Sequence, residues 1–179
     1  MNNDRYTTIA IFLHWLMAIL LIALFVVGIY MSDLTLSPAK LQIYAWHKWA
    51  GVTVFLLVLI RLAWRFTHRP PALPSKTSTI MRFAAYAGHS LLYLLMIAAP
   101  ISGWLMSSAK GFQTVYFGIL PIPDLLSKNK SLGDILQNVH QNLNFLFIGI
   151  VIVHVGAALK HRWLDKDNVL SRILFRHSS

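Results

Sequence analysis

The sequence predicts an all-α protein, an integral membrane four-helix bundle, on three observations. Of its 179 residues 56% are hydrophobic and 12% charged, with a mean hydropathy of +0.59, a balance foreign to ordinary soluble domains. Four apolar runs are each long enough to cross a hydrocarbon core of about 30 Å. None shows the alternation over about ten residues that marks a strand of a membrane barrel, and in lipid a helix satisfies its own backbone polar groups.

The spans are expected at about 8–31, 43–66, 80–106 and 137–161. The first is too apolar over too great a length for a signal peptide, and no small-residue cleavage pattern follows Tyr30, so it reads as a retained helix. The loop from Ser32 to Gln42 is short, and the next, Thr67 to Thr79, is broken by Arg69-Pro70-Pro71 and Pro74. The longest, Ser107 to Leu136, mixes Gly111, Gly118, Pro121, Pro123 and Gly133 with aromatics. That composition suits a segment lying at the membrane interface and covering the bundle. Pro100 and Gly103 mark a bend in the third span, where Ser102 can satisfy freed backbone groups. With no internal repeat and no dividing linker, residues 1–179 read as a single domain.

Charge placement orients the bundle. With the N-terminus inside, eleven of the sixteen basic residues fall on the cytoplasmic side, among them Arg61, Arg65, Arg69, Lys76, Arg82 and Arg176. The outer side keeps Lys40, Lys48, Lys110, Lys128 and Lys130, so both termini are expected in the cytoplasm. Basic residues flanking apolar spans are explained by topology and anionic lipid, and nucleic acid is not an expected partner despite the pI of about 10.2.

The absence of cysteine rules out thiolate-held iron–sulfur clusters and covalently attached c-type haem. No phosphate-binding glycine motif, nucleophile elbow or carboxylate pair placed for hydrolysis is present. The chain offers histidines. His140 and His154 lie fourteen residues apart in the fourth span, a spacing that returns a helical side chain to within about 40° and separates the pair by about 21 Å along the axis. One helix can therefore present two stacked metal ligands, one near each face of the bilayer.

Depth supplies the partners. His47, entering the second span from outside, matches His140, while His14, two turns into the first span from inside, matches His154. Ionisable groups inside a membrane are costly and tend to be functional, and two neutral imidazoles from facing helices suit the iron of a b-type haem. His89, in the third span, lies close to the depth of His14, so three readings stay open for it: alternative inner ligand, quinone contact, or packing residue. His161 falls one heptad beyond His154 on nearly the same face, about 10 Å nearer the cytoplasm, and is a candidate proton donor or quinone contact. His68 and His177 are assigned no function. Gly51, Gly88, Gly149 and Gly156 sit beside these histidines, where a missing side chain admits a flat ring or a neighbouring helix. Arg61, Arg65 and Arg82 near the inner face and Lys48 near the outer are candidate partners for haem propionates.

Taken together, Leu13-His14-Trp15-Leu16, His47 with Gly51, Gly88-His89, Ala99-Pro100 with Gly103, the trio His140, His154 and His161, and Lys166-Asp167-Asn168 with Leu170 and Arg172 resemble the bacterial cytochrome b561 family from end to end. That family lies within a wider group of di-haem membrane cytochromes that includes the b subunits of hydrogenases and formate dehydrogenases. The resemblance implies two b-type haems, an inner one held by His14 and His154 and an outer one held by His47 and His140, in the bacterial inner membrane. It implies further that His89 and His161 border a ubiquinone site near the inner face. A standalone member is a superoxide oxidase: superoxide gives up an electron on the outer side, oxygen is released, and ubiquinone is reduced further in. The competing readings are an electron-relay subunit anchoring a larger respiratory dehydrogenase or reductase, with a protein partner to find, and a haem-free membrane scaffold.

Overall fold

The computed structural model describes residues 5–74 and 77–175; Lys76 and Arg176 of the inner basic set, and His177, lie outside the described residues. Four long helices carry the fold: α1 (Thr8–Asp33), α2 (Pro38–Thr67), α3 (Thr79–Ala109) and α4 (Lys130–Trp163). Each is long and apolar enough to cross a membrane. A two-stranded antiparallel hairpin, β1 (Val115–Tyr116) with β2 (Leu120–Pro121), and a short 3₁₀ turn at Leu170–Ile173 complete it.

Every long helix opens on a polar cap. Thr7, Ser37, Ser78 and Asn129 each accept from a backbone N–H in the first turn, at Ala10, Lys40, Met81 and Leu132. Two caps correct the expected boundaries. α2 begins at Pro38, because Ser37-Pro38 is a ready helix start whose proline needs no N–H donor partner. α4 begins at Lys130 under Asn129. Apolar runs locate the stretch of helix inside lipid, and both helices extend into the polar interface beyond it. The third loop is shorter for the same reason, and Gly133 lets α4 start close under α3, since a Cβ there would come within 2.7 Å of Lys110 Cγ.

α3 and α4 share the most extensive seam, followed by α1 with α2 and then α2 with α3, whereas α1 and α4 approach at few points. The four helices meet in a small core of Met17, Val58, Leu95, Met96 and Phe147, to which all four contribute. Phe147 stands midway between His140 and His154 along α4, so this core divides an outer histidine level from an inner one. Outward-facing residues such as Ile19, Ile22, Ile152 and Val153 are exposed and apolar, the surface expected where lipid is the solvent.

Pro100 lies inside α3 as expected, but Ser102 does something other than expected. Its hydroxyl donates to Ala99 O at 2.7 Å and faces His140 Nδ1 at 2.9 Å. The proline frees the carbonyl one turn back, at Met96; the serine is turned instead toward the histidine of the neighbouring helix.

Candidate functional site

At the outer level His47 of α2 faces His140 of α4, with ring centroids 6.5 Å apart and planes at 87°. His140 is fixed through Nδ1, which is 3.0 Å from Ala99 O and 2.9 Å from Ser102 Oγ. Because that serine spends its proton on Ala99 O, Nδ1 carries the imidazole proton and donates, which leaves the Nε2 lone pair as the acceptor. Asn144, one turn on, supports this tautomer: its amide donates to His140 O at 2.7 Å and approaches Nε2 at 3.3 Å. A histidine whose second nitrogen is held by a carbonyl is the usual arrangement of an imidazole metal ligand. His47 is half-buried, and its Nδ1 is shielded with no hydrogen-bond partner among the described residues, an arrangement costing about 1–3 kcal/mol.

Two glycines shape this level. A Cβ on Gly103 would stand 3.0 Å from His140 Cε1, and one on Gly28 would stand 3.4 Å from His47 Cε1. The glycines singled out from the sequence behave differently. At Gly51, Gly88, Gly149 and Gly156 an added Cβ would meet no neighbour within 4 Å.

The inner level gathers three histidines. His14 and His154 have centroids 6.3 Å apart, while His89 and His154 are 5.3 Å apart. Two nitrogen–metal bonds of about 2.0 Å and ring radii of about 1.2 Å would place imidazole centroids roughly 6.4 Å apart across one metal. The His14–His154 and His47–His140 pairs fit that span; His89 stands about 1 Å too close to His154 for it. Arg61 lies across this cluster, donating to Ala10 O at 3.2 Å, to Tyr93 Oη at 3.1 Å and to His14 Nδ1 at 3.3 Å. Arg65 sits over the Tyr93 ring at 5.7 Å. Arg82 is exposed. Lys48 donates to Ser107 Oγ and Phe112 O, both at 2.9 Å, and so ties the outer loop down beside the outer pair.

His161 belongs to a different assembly. Its Nδ1 is 2.6 Å from Asp167 Oδ2 and 3.3 Å from Asp165, which also pairs with Lys160 at 2.6 Å. Asp167 in turn accepts from Val169 N. Burial works to raise the Asp167 carboxyl, but the Val169 N–H and the His161 imidazole outweigh it and hold the group below its ordinary value. The chain that follows is strapped under the bundle. Trp15 Nε1 donates to Ile173 O, Arg5 to Leu174 O, and Arg172 to Ala72 O.

A family model described as prokaryotic cytochrome b561 matches residues 5–176. The chain belongs to the prokaryotic cytochrome b561 family. It is 34% identical over 177 residues to cytochrome b561 homolog 2 of Escherichia coli (strain K12), covering 98% of this chain and 94% of that one. It is 29% identical over 180 residues to the probable superoxide oxidase CybB of Yersinia pestis, covering 96% and 97%. Cytochrome b562 of Cereibacter sphaeroides is 27% identical over 179 residues, covering 97% of each. The protein is therefore a bacterial membrane cytochrome of oxidoreductase type, and b-type haem follows from the family. Two residues of the site went unnoticed in the sequence: Asn144, although it stands one helical turn after His140, and Gly28, which faces His47 from another helix; Arg61, expected as a propionate partner, also reaches His14.

Proposed function

We propose that this cytochrome holds two b-type haems, the outer between His47 and His140 and the inner between His14 and His154, and passes electrons from superoxide on the outer side to ubiquinone near the inner face. The observation that carries this is the stacking of two imidazole pairs, at 6.3 and 6.5 Å, on the two levels of one helix. When bound, such haems supply reversible one-electron chemistry, which joins a one-electron donor to a two-electron acceptor. The reaction balances as two superoxide ions, one quinone and two protons giving two oxygen molecules and one quinol.

The protein's own groups have distinct tasks in this reading. Ala99 O, Ser102 and Asn144 orient His140 so that Nε2 faces the site. Arg61 donates to His14 Nδ1, which leaves the proton of that neutral ring on Nε2. Ligation through Nε2 requires the opposite tautomer, so Arg61 must turn to another acceptor, and a propionate carboxylate at this edge is the natural one. Outer lysines favour approach of a small anion. His89 and His161 are the quinone-side histidines in this reading, with both termini in the cytoplasm and the protein in the inner membrane. The name of the Yersinia relative supports the donor.

Stopped-flow absorbance of the oxidised protein mixed with superoxide tests the reading. Reduced b-haem bands should appear rapidly and decay when soluble ubiquinone is present. Bands that appear only with dithionite would contradict the donor and favour a relay subunit that takes electrons from a protein partner.

A further inference from the structure

We infer that the β1–β2 hairpin is a membrane anchor: Phe117, Ile119 and Leu120 at its tip sit among the acyl chains of the leaflet on the His47 side, and this seat clamps the loop between α3 and α4 beside the outer histidine pair. The hairpin follows α2 toward the bilayer centre. Phe112 O accepts from Lys48 Nζ, and Val115 O accepts from Trp49 Nε1. Because Thr53 Oγ1 donates to Trp49 O, the Tyr116 hydroxyl donates to that Thr53 oxygen, at 2.9 Å. From Lys48 to Thr53 the helix descends about 7.5 Å, and both residues lie inside the apolar run that begins at Ile43. Each step toward the tip is therefore a step deeper, and the first fixing is the residue next to His47.

Polarity runs the same way. Lys110, Gln113 and Asp124 stand at the base, whereas Thr114 to Pro123 carries no charge. Ile119 is 85% exposed, Leu120 61% and Phe117 58%, where a turn facing water would present polar residues. Beyond Thr53, α2 continues the same exposed apolar surface at Leu56, Leu59 and Ile60, so the tip joins the lipid-facing belt. The backbone suits that solvent. Gly118 N, Ile119 N and Ile122 N donate to Val115 O, Tyr116 O and Thr114 O, and Pro121 and Pro123 bring no N–H that lipid would leave unpaired. Phe117 holds φ at +51°, a left-handed conformation that disfavours a bulky side chain and that Asn or Gly fills in ordinary hairpin turns. There its ring lies 5.3 Å from that of Trp49 and 4.4 Å from that of Tyr116, an aromatic group of the kind that collects at a membrane interface.

The chain has no cysteine, so a nitroxide attached at Ile119→Cys tests the seat in haem-loaded protein held as single copies in lipid nanodiscs. Power saturation with oxygen, which concentrates among acyl chains, and with a water-soluble nickel chelate reads where the label stands. Oxygen should dominate its relaxation. A label at Ser127→Cys, in the exposed polar stretch of the same loop, should show the inverse order. Adding Ile119→Asp to that second chain places a charge among acyl chains, which is costly; the tip should leave its seat and the Ser127 label should become more mobile, while the haem spectrum reports an intact bundle. Chelate access at residue 119 equal to that at 127 would put the tip in water. Exclusion of both reagents at 119 would put protein over it, and a Ser127 label unmoved by Ile119→Asp would remove the clamp. Each of these results would overturn the assignment.

Discussion

A single atom decides the outer pair. Placing the Ser102 hydroxyl on Ala99 O fixes which nitrogen of His140 carries the proton, and with it the direction in which the lone pair points. Gly103→Val fills the space 3.0 Å from that ring, so the variant should fold yet lose one of the two b-haem signals that the proposed function expects, read by reduced-minus-oxidised difference spectra. Both signals at full intensity would remove the glycine from the site. At the inner level, Arg61→Leu deletes the cation across the histidine cluster. The inner haem should then become harder to reduce, because a nearby positive charge favours the reduced form; redox titration reads the shift, and an unchanged midpoint would contradict it. The histidine pairing was legible in the sequence because depth in a membrane helix is a matter of residue count. Gly28, Ser102 and Arg61 act on histidines of other helices, and which face each helix turns inward is a packing outcome that residue counting does not contain.

Along each helix, apolar length located the spans, and polar caps decided where they ended. Asn129 caps α4 at Lys130, seven residues before the expected start at Gln137, and Asn129→Ala should cost about 1 kcal/mol, read as a lower midpoint of thermal loss of helical signal. The hairpin was not legible, since two strands of two residues each leave no periodicity to read. The strap after α4 was visible only as a tail motif. It closes through Asp167, whose carboxyl lies below its ordinary value of 3.8 in the folded chain. A depressed acid adds stability that is present above that ordinary value and lost as pH falls through the lower, folded one. A spin label at Phe175→Cys, in a chain with no other cysteine, should therefore become mobile only below pH 3.8. With Asp167→Asn added, it should be mobile at neutral pH as well. A label equally immobile in both chains would show that the strap does not depend on this carboxylate.

Taken whole, the molecule is two helical hairpins, α1–α2 and α3–α4, joined along α2 and α3 and standing apart along α1 and α4. Both expected histidine pairs take one ring from each hairpin, so ligand binding and bundle assembly are coupled: a group bridging the rings ties the hairpins together. The apolar belt suits a membrane, and the basic rim at the His14 end is expected to face the cytoplasm. A membrane-impermeant maleimide applied to spheroplasts should label Leu36→Cys, in the outer loop, but label Thr67→Cys only after permeabilisation; the reverse pattern would invert the topology. The central claim is that α4 presents two separate haem sites. Haem b per chain, measured by pyridine haemochrome in the purified wild type and in His140→Ala, tests it most directly. Two haems in the wild type should fall to one in the variant, with the inner spectrum kept. One haem in the wild type, or two persisting in the variant, would contradict it.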